Sequence, residues 1–221
     1  QITSLDSAEL NALTTAQFSS ISAAQLNALS SIGTLSTANL AALNNNAVAG
    51  LSTGAIQALT TDQVTQLTAA QVKSLTTAQL NAMEAADVAK LTTSQVAALK
   101  AEQVGGLSTS QLSQLTTTQV GALSGAHLAR LSTGAIKALS GDQVKAINVT
   151  ALRSLTADQL NALDTADLAG MGTAQVAALR ADQLQGLNTA QLNVLTTTQV
   201  AAMDDAQLGS LTTAQVASLN T

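Results

Sequence analysis

The sequence predicts an all-α fold: a tight solenoid of very short helices, one for each eight-residue repeat. Three observations point there. An octad recurs without a slip over most of the chain. Nearly every octad carries a polar helix-capping residue at its second position. Charge within the octad is sorted by sign, acids early and bases late.

The octad comes first. With Leu at position 1, Leu5, Leu13 and Ile21 start three units, and Leu29 starts a shortened one, LSSIGT, spanning 29–34. From Leu35 the spacing of eight holds to Leu219, which gives 26 full octads. Position 1 is Leu in 21 of them, and Ile or Met in the others. Position 6 is Val, Leu or Ile, with Phe18 the one exception, and position 5 is Gln in 17. The consensus is L-[ST]-T-A-Q-[VL]-x-A, as in Leu91–Ala98 (LTTSQVAA). The whole of 1–221 therefore reads as a single tandem array. Gln1 and Ile2 fall on positions 5 and 6, and Leu219 to Thr221 on positions 1 to 3, so the array is expected to be a piece of a longer one. A longer period lies above the octad. LSTGAIQA at Leu51 returns as LSTGAIKA at Leu131, and LTTTQVGA at Leu115 as LTTTQVAA at Leu195, a duplication of 80 residues that pairs 51–130 with 131–210.

The helix assignment comes second. Ala, Leu and Gln favour helix. One continuous helix is excluded, because eight residues advance it by about 800°, roughly 80° past two full turns, and the Leu stripe would wind around it. The chain must reset its direction once per octad. Ser or Thr at position 2 with Gln at position 5 forms the capping box, as in Thr14 with Gln17 and Thr76 with Gln79. Positions 1 and 6 then form the hydrophobic staple across the N-cap.

Charge placement comes third. All 13 acidic residues occupy positions 2 to 5, and six of the eight basic residues occupy positions 7 or 8; Lys100 and Arg180 at position 2 are the exceptions. A helix dipole favours anions at its N-terminus and cations at its C-terminus. Each octad therefore needs two helix ends of its own. The competing β-solenoid would show alternation of period two and more turn-forming Gly and Asn. Helices this short are unstable alone. Stacking of positions 1 and 6, with Ala at 4 and 8, must hold them, leaving a thin Leu/Val spine and a Thr/Gln/Ala coat. Two, three and four octads per coil all satisfy the spacing. The shortened unit with Gly33 is expected to be a local defect.

Composition excludes several functions. The chain has no Trp, Tyr, Cys or Pro and a single aromatic, Phe18. Charged residues make up 10 % and the net charge is −5, so the clustered positive surface that nucleic acid requires is missing. Polar residues interrupt every apolar run, which argues against membrane insertion.

The LTTAQV-type octads resemble the low-complexity ALTTxQVxAL arrays of very large bacterial surface or secreted proteins, adhesin-like ones above all. The resemblance runs from Leu5 to Leu219; the shortened 29–34 and LNNNAVAG at Leu43–Gly50 depart from it. It implies an extracellular or cell-surface stalk, spacer or fibre, with no active-site signature to carry over.

No catalytic, cofactor-binding or metal residue is expected, and no cofactor. His127, the lone histidine, sits at position 5 of LSGAHLAR and reads as a replacement for Gln on a wet face. Asp204 and Asp205 read as an N-cap and a first-turn acid rather than as a calcium loop. Gly54, Gly105, Gly106 and Gly134 belong to no phosphate-binding motif and read as small-residue packing or helix ends. No base stands behind any Ser or Thr. Position 3 carries Thr in 14 of 26 octads, more than capping explains. Stacked rows of these Thr would suit contact with ice or a glycan, so a solenoid binding module that contacts a protein, glycan or ice through one face is the alternative function. Exposed Leu/Val ends favour self-association, end to end or lateral.

Overall fold

The computed structural model describes residues 4–29 and 32–219. Gln1, Ile2, Asn220 and Thr221, assigned above to incomplete octads, lie outside the described residues, as do Ser30 and Ser31 of the shortened unit. Among the described residues there are 26 α-helices, from α1 (Ser7–Ala12) to α26 (Thr213–Ser218), and no strand. The all-α solenoid is the fold, and the β-solenoid alternative is excluded. The chain falls into two compact units, Gln1–Leu107 and Ser108–Thr221.

Each helix begins at octad position 3 because position 2 caps it. In α8 (Ala69–Ser74), Thr68 is the N-cap: its Oγ1 accepts the Gln71 N–H at 3.1 Å, and Gln71 Oε1 accepts the Thr68 N–H at 2.8 Å. The helix closes with a tighter last turn, in which the Leu75 N–H donates to the Val72 carbonyl at 3.2 Å. The reset is then made by two extended residues in succession. Leu67 (φ −58°, ψ 137°) is followed by Thr68 (φ −68°, ψ 154°), and the next helix starts at once. No described residue has a positive φ, so no glycine is needed to turn the chain.

Stacking supplies the stability that such helices lack. In the first unit α4 (Thr37–Ala42) packs on α7 (Thr61–Gln66), α5 (Asn45–Ala49) on α8, and α8 on α11 (Thr93–Ala98). In the second, α14 (Thr117–Gly121) packs on α17 (Gly141–Ala146), α17 on α20 (Thr165–Gly170), α20 on α23 (Thr189–Asn193), and α23 on α26. A helix thus meets the helix three octads further on, which selects three among the spacings the sequence permits. Positions 1 and 6 supply the core of each unit: Leu67, Val72, Leu75 and Leu80 in one, Leu155, Leu160, Leu184 and Leu187 in the other, are buried. Full burial of such a side chain stabilises by about 1.5–3 kcal/mol. Phe18 is also fully buried.

Positions 8 and 3 set how closely the coils approach. A Cβ at Gly50 would lie 2.5 Å from Ala23 Cβ; one at Gly186 would collide with Ala157 Cβ, and one at Gly106 with Thr77 Cγ2. In each pair, position 8 of one octad meets position 3 of the octad three units earlier. The Thr at position 3 therefore has a packing role as well as an exposed one. Of the shortened unit, Ile32–Thr34 forms a single 3-10 turn with Ile32 buried.

Candidate functional site

The feature that unites the array is a buried line of position-5 glutamines. Capping uses only half of each side chain. In Gln71, Oε1 and the backbone N–H complete the capping box of its own helix, while Nε2 points into the coil below. There it donates to the carbonyl of Leu40 at 2.9 Å and of Leu43 at 2.8 Å. Those two carbonyls belong to the C-terminal end of α4 and the residue that closes it. One side chain thus caps the N-terminus of its own helix and the C-terminus of the helix four octads earlier. Helix ends leave carbonyls without intrahelical partners, and burial makes such groups costly.

The pattern repeats within each unit. Gln79 reaches Val48 and Leu51, Gln95 reaches Val64 and Leu67, and Gln103 reaches Val72 and Leu75. In the second unit Gln143, Gln159, Gln175, Gln183, Gln191, Gln199, Gln207 and Gln215 each donate 31 and 28 residues back. Gln183 is 0 % exposed, with Nε2 at 3.0 Å from the Leu152 carbonyl and 2.7 Å from that of Leu155. Among the described residues no buried side-chain nitrogen or oxygen is left without a partner.

This corrects the expectation that Gln belongs to the coat. The sequence held a signal. Glu completes a capping box as well as Gln does, yet Glu occupies position 5 only at Glu9. A carboxylate has no N–H to donate, and the second half of the glutamine's work requires one.

Some departures from the consensus at positions 2 and 5 are compensated. At Lys100 and Gly172 position 2 has no hydroxyl, but Gln103 and Gln175 still accept the N–H of that residue, at 2.6 and 3.0 Å. Where position 5 is Ala47 or Ala151, position 2 is Asn. Asn44 Nδ2 donates to the Ser19 carbonyl at 2.8 Å, and Asn148 Nδ2 to the Leu123 carbonyl at 3.2 Å, while each Oδ1 caps its own helix at 2.8 Å. Asn39 reaches the Leu10 carbonyl at 3.4 Å.

His127 is the third kind of replacement. It does stand in for Gln, but the expectation of a wet face is wrong: it is buried. Its Nδ1 accepts the Ser124 N–H at 3.1 Å, and its own N–H donates to Ser124 Oγ at 3.3 Å. The imidazole reproduces the capping geometry of the amide, so burial follows the slot rather than the residue type.

Position 7 adds a second tie between coils. Asn27 donates to the Gly50 carbonyl at 2.9 Å and accepts the Ser52 N–H at 2.7 Å; Asn161 does the same with Gly186 at 2.7 Å and Asn188 at 3.2 Å. Arg153 Nη1 donates to the Ala178 carbonyl at 3.2 Å.

The charged residues stay at the surface. Asp204 caps α25 (Asp205–Gly209) through Oδ1 to the Gln207 N–H at 2.8 Å, and Asp205 is exposed beside it. Arg180 forks onto Asp182 with both bonds at 2.9 Å, which holds that carboxyl below the usual range. Partial burial, and then the Asp164 carboxylate, push the Asp167 carboxyl upward. Among the described residues no group of three or more His, Cys, Asp or Glu is placed to hold a metal ion. No helix is long and apolar enough to cross a membrane. Gly54 and Gly134 face open space near their own N-cap hydroxyls, and neither has a positive φ. The expected Thr row is interrupted, since the stacked helices α14, α17 and α20 begin with Thr117, Gly141 and Thr165.

A family model described as the ALTTAQ repeat matches residues 32–69, 88–125, 160–197 and 187–221. A comparison with curated proteins gave no match. The matched segments cover more than half of the chain: the chain belongs to the ALTTAQ repeat family.

Proposed function

We propose that the chain is a non-catalytic structural segment, an extracellular stalk, spacer or fibre-forming element of a bacterial surface or secreted protein. One observation carries this reading. The same contact, a glutamine amide set on two carbonyls of an earlier coil, recurs through each unit and occupies the buried polar groups. The regular chemistry of the octad goes into joining coils. What faces solvent is mostly small and polar, with charged residues only 10 % of the chain. Binding surfaces concentrate aromatics and Arg, and this sequence has one Phe and three Arg. The likeness of the octads to adhesin-like arrays supports the surface location.

Self-association belongs to the same reading. Leu208 and Val216, at position 6, are 40 % and 54 % exposed and Val200 is half-buried, whereas position 6 is buried in the other described octads. The test has two parts. Protease accessibility and immunogold labelling on intact source cells should place the protein outside, and retention in the cytosol overturns the stalk. Sedimentation velocity over a wide concentration range should reveal higher assemblies; a monomer throughout overturns the self-association.

A further inference from the structure

The octad Leu51–Ala58 stands apart from the glutamine line on both of its sides. Its position 5 is Ala55, which has no amide to send to an earlier coil. Its N-cap is Ser52, whose Oγ accepts the Ala55 N–H at 3.1 Å and reaches no carbonyl. A cavity of about 140 Å³ opens against Ala55 and Leu26. The far end lacks the amide too. By the 31- and 28-residue offsets, the carbonyls of Ile56 and Leu59 fall to residue 87. That residue is Asp87, which instead accepts from Thr61 Oγ1 at 2.7 Å. Among the described residues no side-chain amide reaches Ile56 or Leu59.

The arrangement returns eighty residues later. Leu131–Ala138 has Ala135 at position 5 and Ser132 as its N-cap, and the carbonyls of Ile136 and Leu139 fall to Asp167. Both octads also carry Gly at position 4, Gly54 and Gly134, which weakens a helix further. At Ala47 and Ala151 the missing amide is replaced by Asn44 and Asn148. Here Ser52 and Ser132 offer no replacement.

We infer that Leu51–Ala58 and Leu131–Ala138 are built-in yielding points, octads that open locally while the coils around them stay folded. Their own caps and core positions are intact: Ile56 and Ile136 are buried. What they lack is the glutamine amide: Ala55 and Ala135 carry none, and among the described residues none reaches Ile56, Leu59, Ile136 or Leu139, so the one bond that joins Leu51–Ala58 to an earlier coil is the Ser52 N–H donating to Asn27 Oδ1 at 2.7 Å. Local opening follows the local density of such ties. In a spacer under tension, a consequence that rests on the proposed function, extension begins at these octads, one in each eighty-residue block. The exchange behaviour does not depend on that reading.

Native-state hydrogen exchange of the 221-residue chain tests it. The amides of Ile56 and Leu59 should exchange at least about tenfold faster than Val72 and Leu75, the same positions in an octad tied at both ends. Installing both ties, Ala55→Gln with Asp87→Gln, should slow Ile56 and Leu59 to the rate of Val72 and Leu75. Cutting both ties of the other octad, Gln71→Ala with Gln103→Ala, should bring Val72 and Leu75 up to the rate of Ile56. Equal exchange of the two octads in the unaltered chain overturns the inference, and so does an unchanged rate after the two Gln are installed. The installed pair restores the consensus, so it decides the matter even if the cut pair unfolds.

Discussion

The side-chain amide of Gln183 donates to the Leu155 carbonyl at 2.7 Å while its oxygen accepts the Arg180 N–H at 2.8 Å. The two ends of one side chain thus serve two helices four octads apart. Gln183→Ala should cost about 2–3 kcal/mol, because it leaves buried backbone groups unpaired at both. Gln183→Glu should cost at least as much at neutral pH, since the carboxylate keeps the acceptor, loses the donor and places a buried charge against two carbonyl oxygens. Burial raises the folded-state pKa of such a carboxyl above its unfolded value. The penalty should therefore shrink as the pH falls toward about 4–5 and the group becomes a neutral O–H donor. Urea melts of the two variants across pH measure this; a Glu variant as stable as the parent at neutral pH counts against the donor role.

The contact between positions 8 and 3 makes two glycine substitutions diverge. Gly186→Ala drives a Cβ into Ala157 Cβ, with no flexible end to give way, and should cost about 1–3 kcal/mol. Ala157→Gly in the same chain should recover most of that. Gly54→Ala meets nothing closer than Ser52 Oγ at 4.0 Å and should stabilise by about 0.5–1 kcal/mol. Thermal unfolding of the three variants checks the signs.

His127 supplies an acceptor where its neighbours supply an amide. His127→Gln should fold normally, with stability equal to or above the parent. His127→Leu has similar bulk and no acceptor for the Ser124 N–H, and should lose about 1–2 kcal/mol. A Leu variant of unchanged melting temperature would show that burial alone matters in this slot.

Asp167 gives a pH dependence of known sign. Its carboxyl is pushed upward by partial burial and by Asp164, so the ionised form is disfavoured in the fold. A raised folded pKa means that the protonated form is the better tolerated one, and stability falls as pH rises through that value. Asp167→Asn should raise the melting temperature modestly at neutral pH, and the gain should fade on acidification as the parent carboxyl protonates. A gain that persists unchanged at pH below about 3 would point to the new amide instead.

Much of this fold was legible in local chemistry. Thr68 and Gln71 lie three residues apart, so their capping box could be read from adjacent letters, and the sorting of acids and bases gave each octad its two ends. The spacing between coils was not legible, because stacking on the second, third or fourth octad buries the same Leu and Val. The inward half of Gln71 was missed for a related reason: its partners Leu40 and Leu43 are 31 and 28 residues away. Only the near absence of Glu from position 5 betrayed them. His127 was misplaced by judging the residue instead of the slot it fills.

The reversal between helices is made by two extended residues, such as Leu67 and Thr68, with no left-handed backbone anywhere in the described chain. Any L-amino acid tolerates those angles. The corner of each octad consequently vetoes nothing on steric grounds, and position 2 shows it: Thr68, Asn44, Asp6, Glu84, Lys100, Arg180 and Gly172 all occupy the same corner. A lineage can change that residue one codon at a time without passing through a chain that cannot turn, at the cost of a cap rather than of the corner.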